Sequence, residues 1–126
     1  MFILKVKDSF SAAHKLVEYK GECSEIHGHN WEIEVSIECH KTSDIGLTID
    51  FKEIKEIFYK IISEFDHTYL NDLDYFTDKN PTSENIAKVI YQLSINAFSD
   101  YDAQVKEIAV KESEKYTAIY RPDENN

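Results

Sequence analysis

Residues His27–Cys39 read "HGHNWEIEVSIEC", and the order of side chains in this stretch sets the fold. From Trp31 onward the odd positions are Trp31, Ile33, Val35, Ile37 and Cys39. The even positions are Glu32, Glu34, Ser36, Glu38 and His40. A period of two over nine residues predicts a strand with one packed face and one wet face, as in antiparallel sheets. Extended backward, the packed side also takes His29 and His27, because residues i and i+2 of a strand point the same way.

Outward from this strand the chain alternates between the same two patterns. Phe2, Leu4, Val6 and Phe10 fall on even positions and predict a preceding half-buried strand, with Asp8 interrupting it. After the turn "KTSDIG", Asp50 reads as a helix N-cap with Glu53 as its capping-box partner. Phe51, Ile54, Phe58, Ile61, Ile62 and Phe65 recur at helical spacing, so a helix is predicted over Phe51 to Phe65. "NPTSENIAKVIYQLSINAF", Asn80 to Phe98, opens with proline, hydroxyl and acidic residues that suit a helix start, and Ile86, Val89, Ile90, Leu93 and Ala97 form its apolar stripe. Two more strands follow, Val105 to Glu112 and Lys115 to Tyr120, across a tight "SEK" turn. Strand, strand, helix, helix, strand, strand predicts an α+β fold: a four-stranded antiparallel sheet with both helices on one face. Such a sheet has two exposed edges, and joining them between copies is one remedy, so a homo-oligomer is expected.

Composition narrows the function. The 126 residues are one domain by length, residues 1–126, and 42% apolar content with 13% aromatics supports a packed core. A net charge of −10 argues against nucleic-acid binding, which needs clustered Lys and Arg. No apolar run approaches the ~20 residues of a membrane span. Charges follow the short apolar start "MFILKVKDSF" too soon for a signal peptide, so a cytoplasmic protein without membrane contact is expected. The two cysteines then read as free thiols rather than a bridge.

Chemistry concentrates before Trp31. His27 and His29 lie about 7 Å apart along a strand, which lets two imidazoles converge on one ion. His14 ends the first strand, and antiparallel pairing with the second can bring it beside them. Three histidines with an open position are the pattern of a catalytic zinc; packed or hydrogen-bonded histidines are the alternative. Cys23 lies four residues before His27 and could be a ligand, a nucleophile, an acid/base or an idle loop thiol. Cys39, on the apolar face, reads as core. Asp66 and His67 form a carboxylate–imidazole pair after the first helix, able to fix a tautomer, or else His67 meets the helix dipole. Glu112 follows Ile108 and Val110 toward the packed face. A carboxylate there must be paired, for instance by a flat heterocycle offering an amino group and a ring N–H, unless the strand end has already reached solvent.

The segments "FSAAH", "IHGHNW", "IDF", "FDHTYLND", "NPTSENIA" and "VKESEKYTAIYR", in this order across nearly the whole chain, resemble the 6-pyruvoyl-tetrahydropterin synthase superfamily. Within it the resemblance is to the 6-carboxytetrahydropterin synthases of queuosine (7-deazaguanine) biosynthesis, on the three residues between Cys23 and His27 and on "NPTSEN". The resemblance implies a tunnelling fold (T-fold), trimers whose sheets join into a barrel, a hexamer of two stacked trimers, and active sites between subunits. It implies Zn2+ on His14, His27 and His29, a catalytic thiol at Cys23, and proton-transfer partners at Asp66 and His67. It also implies a pterin-anchoring carboxylate at Glu112, with Ser83 and Glu84 lining the pterin pocket. The implied substrate is a pterin triphosphate, 7,8-dihydroneopterin triphosphate, and the implied products are 6-carboxy-5,6,7,8-tetrahydropterin, acetaldehyde and triphosphate. The alternatives are 6-pyruvoyl-tetrahydropterin synthesis by triphosphate elimination, a non-catalytic pterin- or purine-binding module, and a structural zinc site closed by Cys23.

Overall fold

The computed structural model describes residues 1–17 and 24–123. Strand β1 (Phe2–His14) pairs antiparallel with β2 (His27–Cys39) along its whole length, from Phe2 opposite Cys39 to His14 opposite His27. Helix α1 (Phe51–Ile62) follows, then a two-residue strand β3 (Thr68–Tyr69) and two short 3-10 turns. Helix α2 (Ser83–Ala97) leads to β4 (Gln104–Ser113) and β5 (Tyr116–Tyr120). The sheet order is β3-β1-β2-β4-β5.

The four long strands are antiparallel as expected, and β3 adds a fifth, parallel to β1 at Ala12 and Ala13. Two residues are too few for a period, which is why alternation did not reveal this strand. The predicted packed face is the core. Trp31, Ile33, Val35, Ile37 and Cys39 of β2 are buried, with Phe10 and Ala12 of β1 and Val105, Ile108 and Val110 of β4 on the same side. Ile54, Phe58, Ile61 and Ile62 of α1 and Ile86, Val89 and Ile90 of α2 cover them.

Two local readings are corrected. The Asp50 carboxylate does cap α1, accepting from the Lys52 N–H at 2.9 Å. Glu53 does not complete a capping box: its carboxylate accepts from the Tyr101 hydroxyl at 2.9 Å, a tertiary contact that takes the side chain away. Helix α1 also ends at Ile62. Phe65 is still fully buried, packed from the turn beyond the helix against Phe10 and Tyr75.

The edge of β1 away from β2 is closed by a mixture of backbone and side chains. Ser11 N–H donates to Asp66 Oδ1 (2.9 Å), and Ser11 O accepts from His67 N–H (2.6 Å). Strand β3 pairs next. Beyond the strand, Asn71 holds both backbone groups of Lys15 (3.0 and 2.9 Å), and Asn80 holds both of Val17 (2.7 and 2.9 Å). The two primary amides do what a neighbouring strand would do, because a side-chain amide offers one donor and one acceptor at backbone spacing.

Candidate metal centre and active site

Strand register builds the centre. His14 stands directly opposite His27, and Ala12 opposite His29, so all three imidazoles share the packed face at one end of the sheet. Trp31, fully buried, closes the floor: its ring lies 4.9 Å from that of His14 and 5.2 Å from that of His29. Glu112 comes from β4, past Val110. Its Oε1 lies 3.0 Å from His29 Nε2 and 3.6 Å from His14 Nε2, and the side chain is 28% exposed.

The ring nitrogens are oriented by the backbone. His14 Nδ1 lies 2.8 Å from Pro81 O, and His27 Nδ1 lies 2.8 Å from Glu25 O. A carbonyl only accepts, so both Nδ1 atoms carry the proton. In the neutral rings both Nε2 atoms are then bare lone pairs, yet they stand 2.9 Å apart. Two acceptors facing each other repel, and a shared cation turns that repulsion into coordination. His29 Nε2 is likewise buried without a hydrogen bond: its contact with Glu112 is close but not aligned for one.

The donor atoms of His14, His27, His29 and Glu112 all fall within 4.8 Å of one another. Neighbouring donors around a tetrahedral zinc are about 3.3 Å apart at Zn–N lengths of ~2.0–2.1 Å; the His14–His27 Nε2 separation of 2.9 Å lies near that value, and Glu112 Oε1 stands 3.0 and 3.6 Å from His29 Nε2 and His14 Nε2. Burial holds the imidazoles of His14 and His29 below the ordinary histidine range, in opposition to the Pro81 carbonyl at His14 and to the Glu112 carboxylate at His29. Both are thereby favoured in the neutral form that binds metal.

Asp66 and His67 sit together but elsewhere. His67 Nδ1 is 3.0 Å from Asp66 Oδ2, and Ser11 fixes the pair to the edge of β1. His67 has φ 58°, a left-handed conformation rare for a residue with a Cβ, and its side chain is largely exposed. The Ser11 N–H, before the neighbouring imidazole, holds the Asp66 carboxyl below the usual carboxylate range. A shallow depression of about 410 Å³ touches both His29 and His67, with Ser11, Gly28 and Asn30 between them. Ser83 is half-buried and Glu84 exposed in the first turn of α2, just after the Pro81 carbonyl that meets His14. Cys23 lies outside the described residues. Cys39 is core, and burial pushes its thiol up. A larger cavity of about 550 Å³ lies by the end of α2, lined by Tyr91, Phe98, Lys106 and Arg121, and contains none of these residues.

Sequence reasoning did not find Trp31 as the floor, Ser11 as the anchor of Asp66–His67, or the Pro81 carbonyl behind His14. Trp31 carried a signal, two residues beyond His29 on the same face. The other two are long-range contacts of ordinary residues.

Comparison with known proteins agrees with this geometry. The family model for 6-pyruvoyl tetrahydropterin synthase matches residues 3–123. A Bacillus subtilis protein named 6-carboxy-5,6,7,8-tetrahydropterin synthase is 30% identical, covering 89% of this chain and 80% of its own. A Dictyostelium discoideum protein named 6-pyruvoyl tetrahydrobiopterin synthase is 31% identical, covering 94% and 95%. The structure of Caenorhabditis elegans 6-pyruvoyl tetrahydropterin synthase superposes with a TM-score of 0.83 over 97% of this chain and 96% of that one. At 23% identity this last likeness is one of fold.

Proposed function

The chain belongs to the 6-pyruvoyl tetrahydropterin synthase family, and from that premise we propose that it is a zinc-dependent lyase acting on 7,8-dihydroneopterin triphosphate. The products of the proposed reaction are 6-carboxy-5,6,7,8-tetrahydropterin, acetaldehyde and triphosphate, in the route to queuosine. The observation that carries the reading is the convergence of three imidazoles, two of them with Nδ1 tied to backbone carbonyls and Nε2 turned inward. His14, His27 and His29 would hold the zinc. Bound there, the ion would supply Lewis acidity toward the hydroxyl oxygens of the substrate side chain, which would make the adjoining C–H more acidic.

The remaining roles belong to the chain. Cys23 takes and returns the proton as a thiolate. Asp66 fixes the His67 ring so that the pair supplies the complementary acid and base. Glu112 accepts from the amino group and ring N–H of the pterin and sets the side chain against the metal in one orientation. Ser83 and Glu84 line the same pocket from the start of α2. Because the His67 side chain is exposed where the dyad closes the edge of β1, the dyad is suited to serve a neighbouring subunit's Cys23 in a hexamer of two trimers. The protein is proposed to work in the cytoplasm, and among the described residues no helix is long and apolar enough to cross a membrane.

The deciding experiment incubates the zinc-loaded protein with 7,8-dihydroneopterin triphosphate and identifies the products by mass. Acetaldehyde with the carboxy-pterin supports the reading; 6-pyruvoyl-tetrahydropterin moves the chain to the eliminating branch. No turnover with retained pterin affinity makes it a binding module. The spacing of Cys23 to His27 and the "NPTSEN" run favour the first outcome. Glu112→Gln is expected to keep its zinc and lose at least tenfold in pterin affinity, read by metal analysis and ligand titration. Loss of zinc from that variant would make Glu112 a ligand instead.

A further inference from the structure

We propose that Asn80 is a positioning residue for the metal centre: by gripping Val17 it holds the Pro81 carbonyl against His14 Nδ1 and so fixes the His14 tautomer. The inference rests on the metal-site reading above and adds the device that keeps one of its three nitrogens in the binding form.

Asn80 is held from two directions. Its side-chain amide accepts from Val17 N–H at 2.7 Å and donates to Val17 O at 2.9 Å. Its backbone carbonyl accepts from Asn85 Nδ2 at 2.8 Å, in the first turn of α2. Asn80 therefore links the exit of β1 to the start of α2, and the Pro81 carbonyl lies in that link. Three local facts make the link stiff. Pro81 has its φ fixed by its ring. Asn80, preceding a proline, is confined to extended backbone. Thr82, the N-cap of α2, is anchored through its Oγ1 on Asn85 N–H at 3.1 Å. With both flanks held, the direction of the Pro81 carbonyl has little freedom. It meets the buried His14 ring at 2.8 Å.

The consequence for His14 is chemical. A proton held on Nδ1 leaves Nε2 unprotonated and directed at His27 and His29. Without the carbonyl, the proton can move to Nε2, where the His27 Nε2 lone pair 2.9 Å away would accept it. That alternative pairs the two rings with each other and removes a metal ligand. Aspartate lacks the donor for Val17 O, and alanine lacks both groups.

Asn71 provides the matched control. It grips Lys15 in the same two-bond manner but does not touch the 80–85 segment in any described contact. Loss of Asn71 loosens the exit of β1; loss of Asn80 loosens it and also frees the Pro81 carbonyl.

The test measures the His14 tautomer and zinc affinity separately. Long-range 1H–15N correlation spectra of the metal-free protein are expected to show His14 protonated on Nδ1 in the wild type and shifted toward Nε2 in Asn80→Ala. Chelator competition is expected to show zinc held about 10- to 100-fold more weakly by Asn80→Ala and Asn80→Asp. Asn71→Ala should change zinc affinity less than threefold at a similar loss of melting temperature. Asn85→Ala, which frees only the Asn80 carbonyl, should move both readouts in the same direction by less, and it stands in should Asn80→Ala fail to fold. Unchanged tautomer and zinc affinity in the folded Asn80 or Asn85 variants overturn the proposal, as does an Nε2-protonated His14 in the wild type. If the wild type itself binds no zinc through its histidines, the metal-site reading fails first, which the same titration reveals.

Discussion

His67 is held in the left-handed region at φ 58° by its N–H bond to Ser11 O and by Asp66 alongside. For a residue with a Cβ this backbone costs about 1–2 kcal/mol, and the exposed contact of its ring with Asp66 returns little of it. His67→Gly is therefore expected to raise folding stability by about 1 kcal/mol in urea unfolding while product formation falls sharply. A loss of stability would mean that the imbalance is not stored in this backbone. Asp66 makes a pH prediction. Its carboxyl is depressed below its ordinary 3.8, first by the Ser11 N–H and then by His67. An acid depressed on folding stabilises the native state at pH above its unfolded value and loses that contribution as pH falls through the folded one. The tie of the dyad to β1 should thus persist through neutral pH and weaken only below about 3.8, seen as an Asp66 carboxyl resonance titrating below 3.8. Asp66→Asn should remove that acid-limb dependence from the unfolding curve.

At the scale of elements, α2 begins where the site is built, so its cap matters twice. Thr82→Ala removes the acceptor for the Asn85 N–H and is expected to cost about 1 kcal/mol, measured by chemical denaturation, while slightly weakening zinc through the neighbouring Pro81. The elements also divide by how legible they were. The alternation of Trp31 to Cys39 gave β2 and, extended backward, two of the three histidines, because period two is a local property. His14 followed from antiparallel pairing and landed opposite His27. What stayed hidden depends on partners far along the chain. Glu53 is drawn to Tyr101 rather than to its own helix end, β3 exists only because β1 has an edge to fill, and Asn71 and Asn80 look like ordinary turn residues until Lys15 and Val17 are seen beside them. Cys23, the most suggestive single residue in the sequence, lies outside the described residues, and its proposed role comes from spacing and family resemblance.

For the whole molecule, the outer face of the sheet carries opposed charges in rows: Lys5 with Glu34, and Lys7 and Lys111 with Glu32. These ion pairs are exposed and add little stability each. They keep the wet face polar where copies of the sheet would curve around a common axis. In the proposed assembly the contacts would come from the sheet edges instead. Among the described residues, β1 is paired on its far side only around Ala12 and Ala13, and β5 has one neighbour. By the two-residue period, the free side of β1 presents the backbone groups of Ile3, Lys5 and Lys7. Lys5→Pro deletes one such N–H without touching the ladder to β2. If the chain assembles as proposed, this variant is expected to shift the sedimentation profile to smaller species with the fold kept by circular dichroism; an unchanged profile would place the contact elsewhere. The edge closed at Ser11, Lys15 and Val17 also has a temporal consequence. Deuterium should reach the amides of Ile3, Lys5 and Lys7 quickly in a lone subunit and that of Ser11 slowly, with those of Lys15 and Val17 just past the strand, so one strand runs two clocks. Joining a neighbour would slow only the first, turning the isotope trace of a single strand into a gauge of assembly.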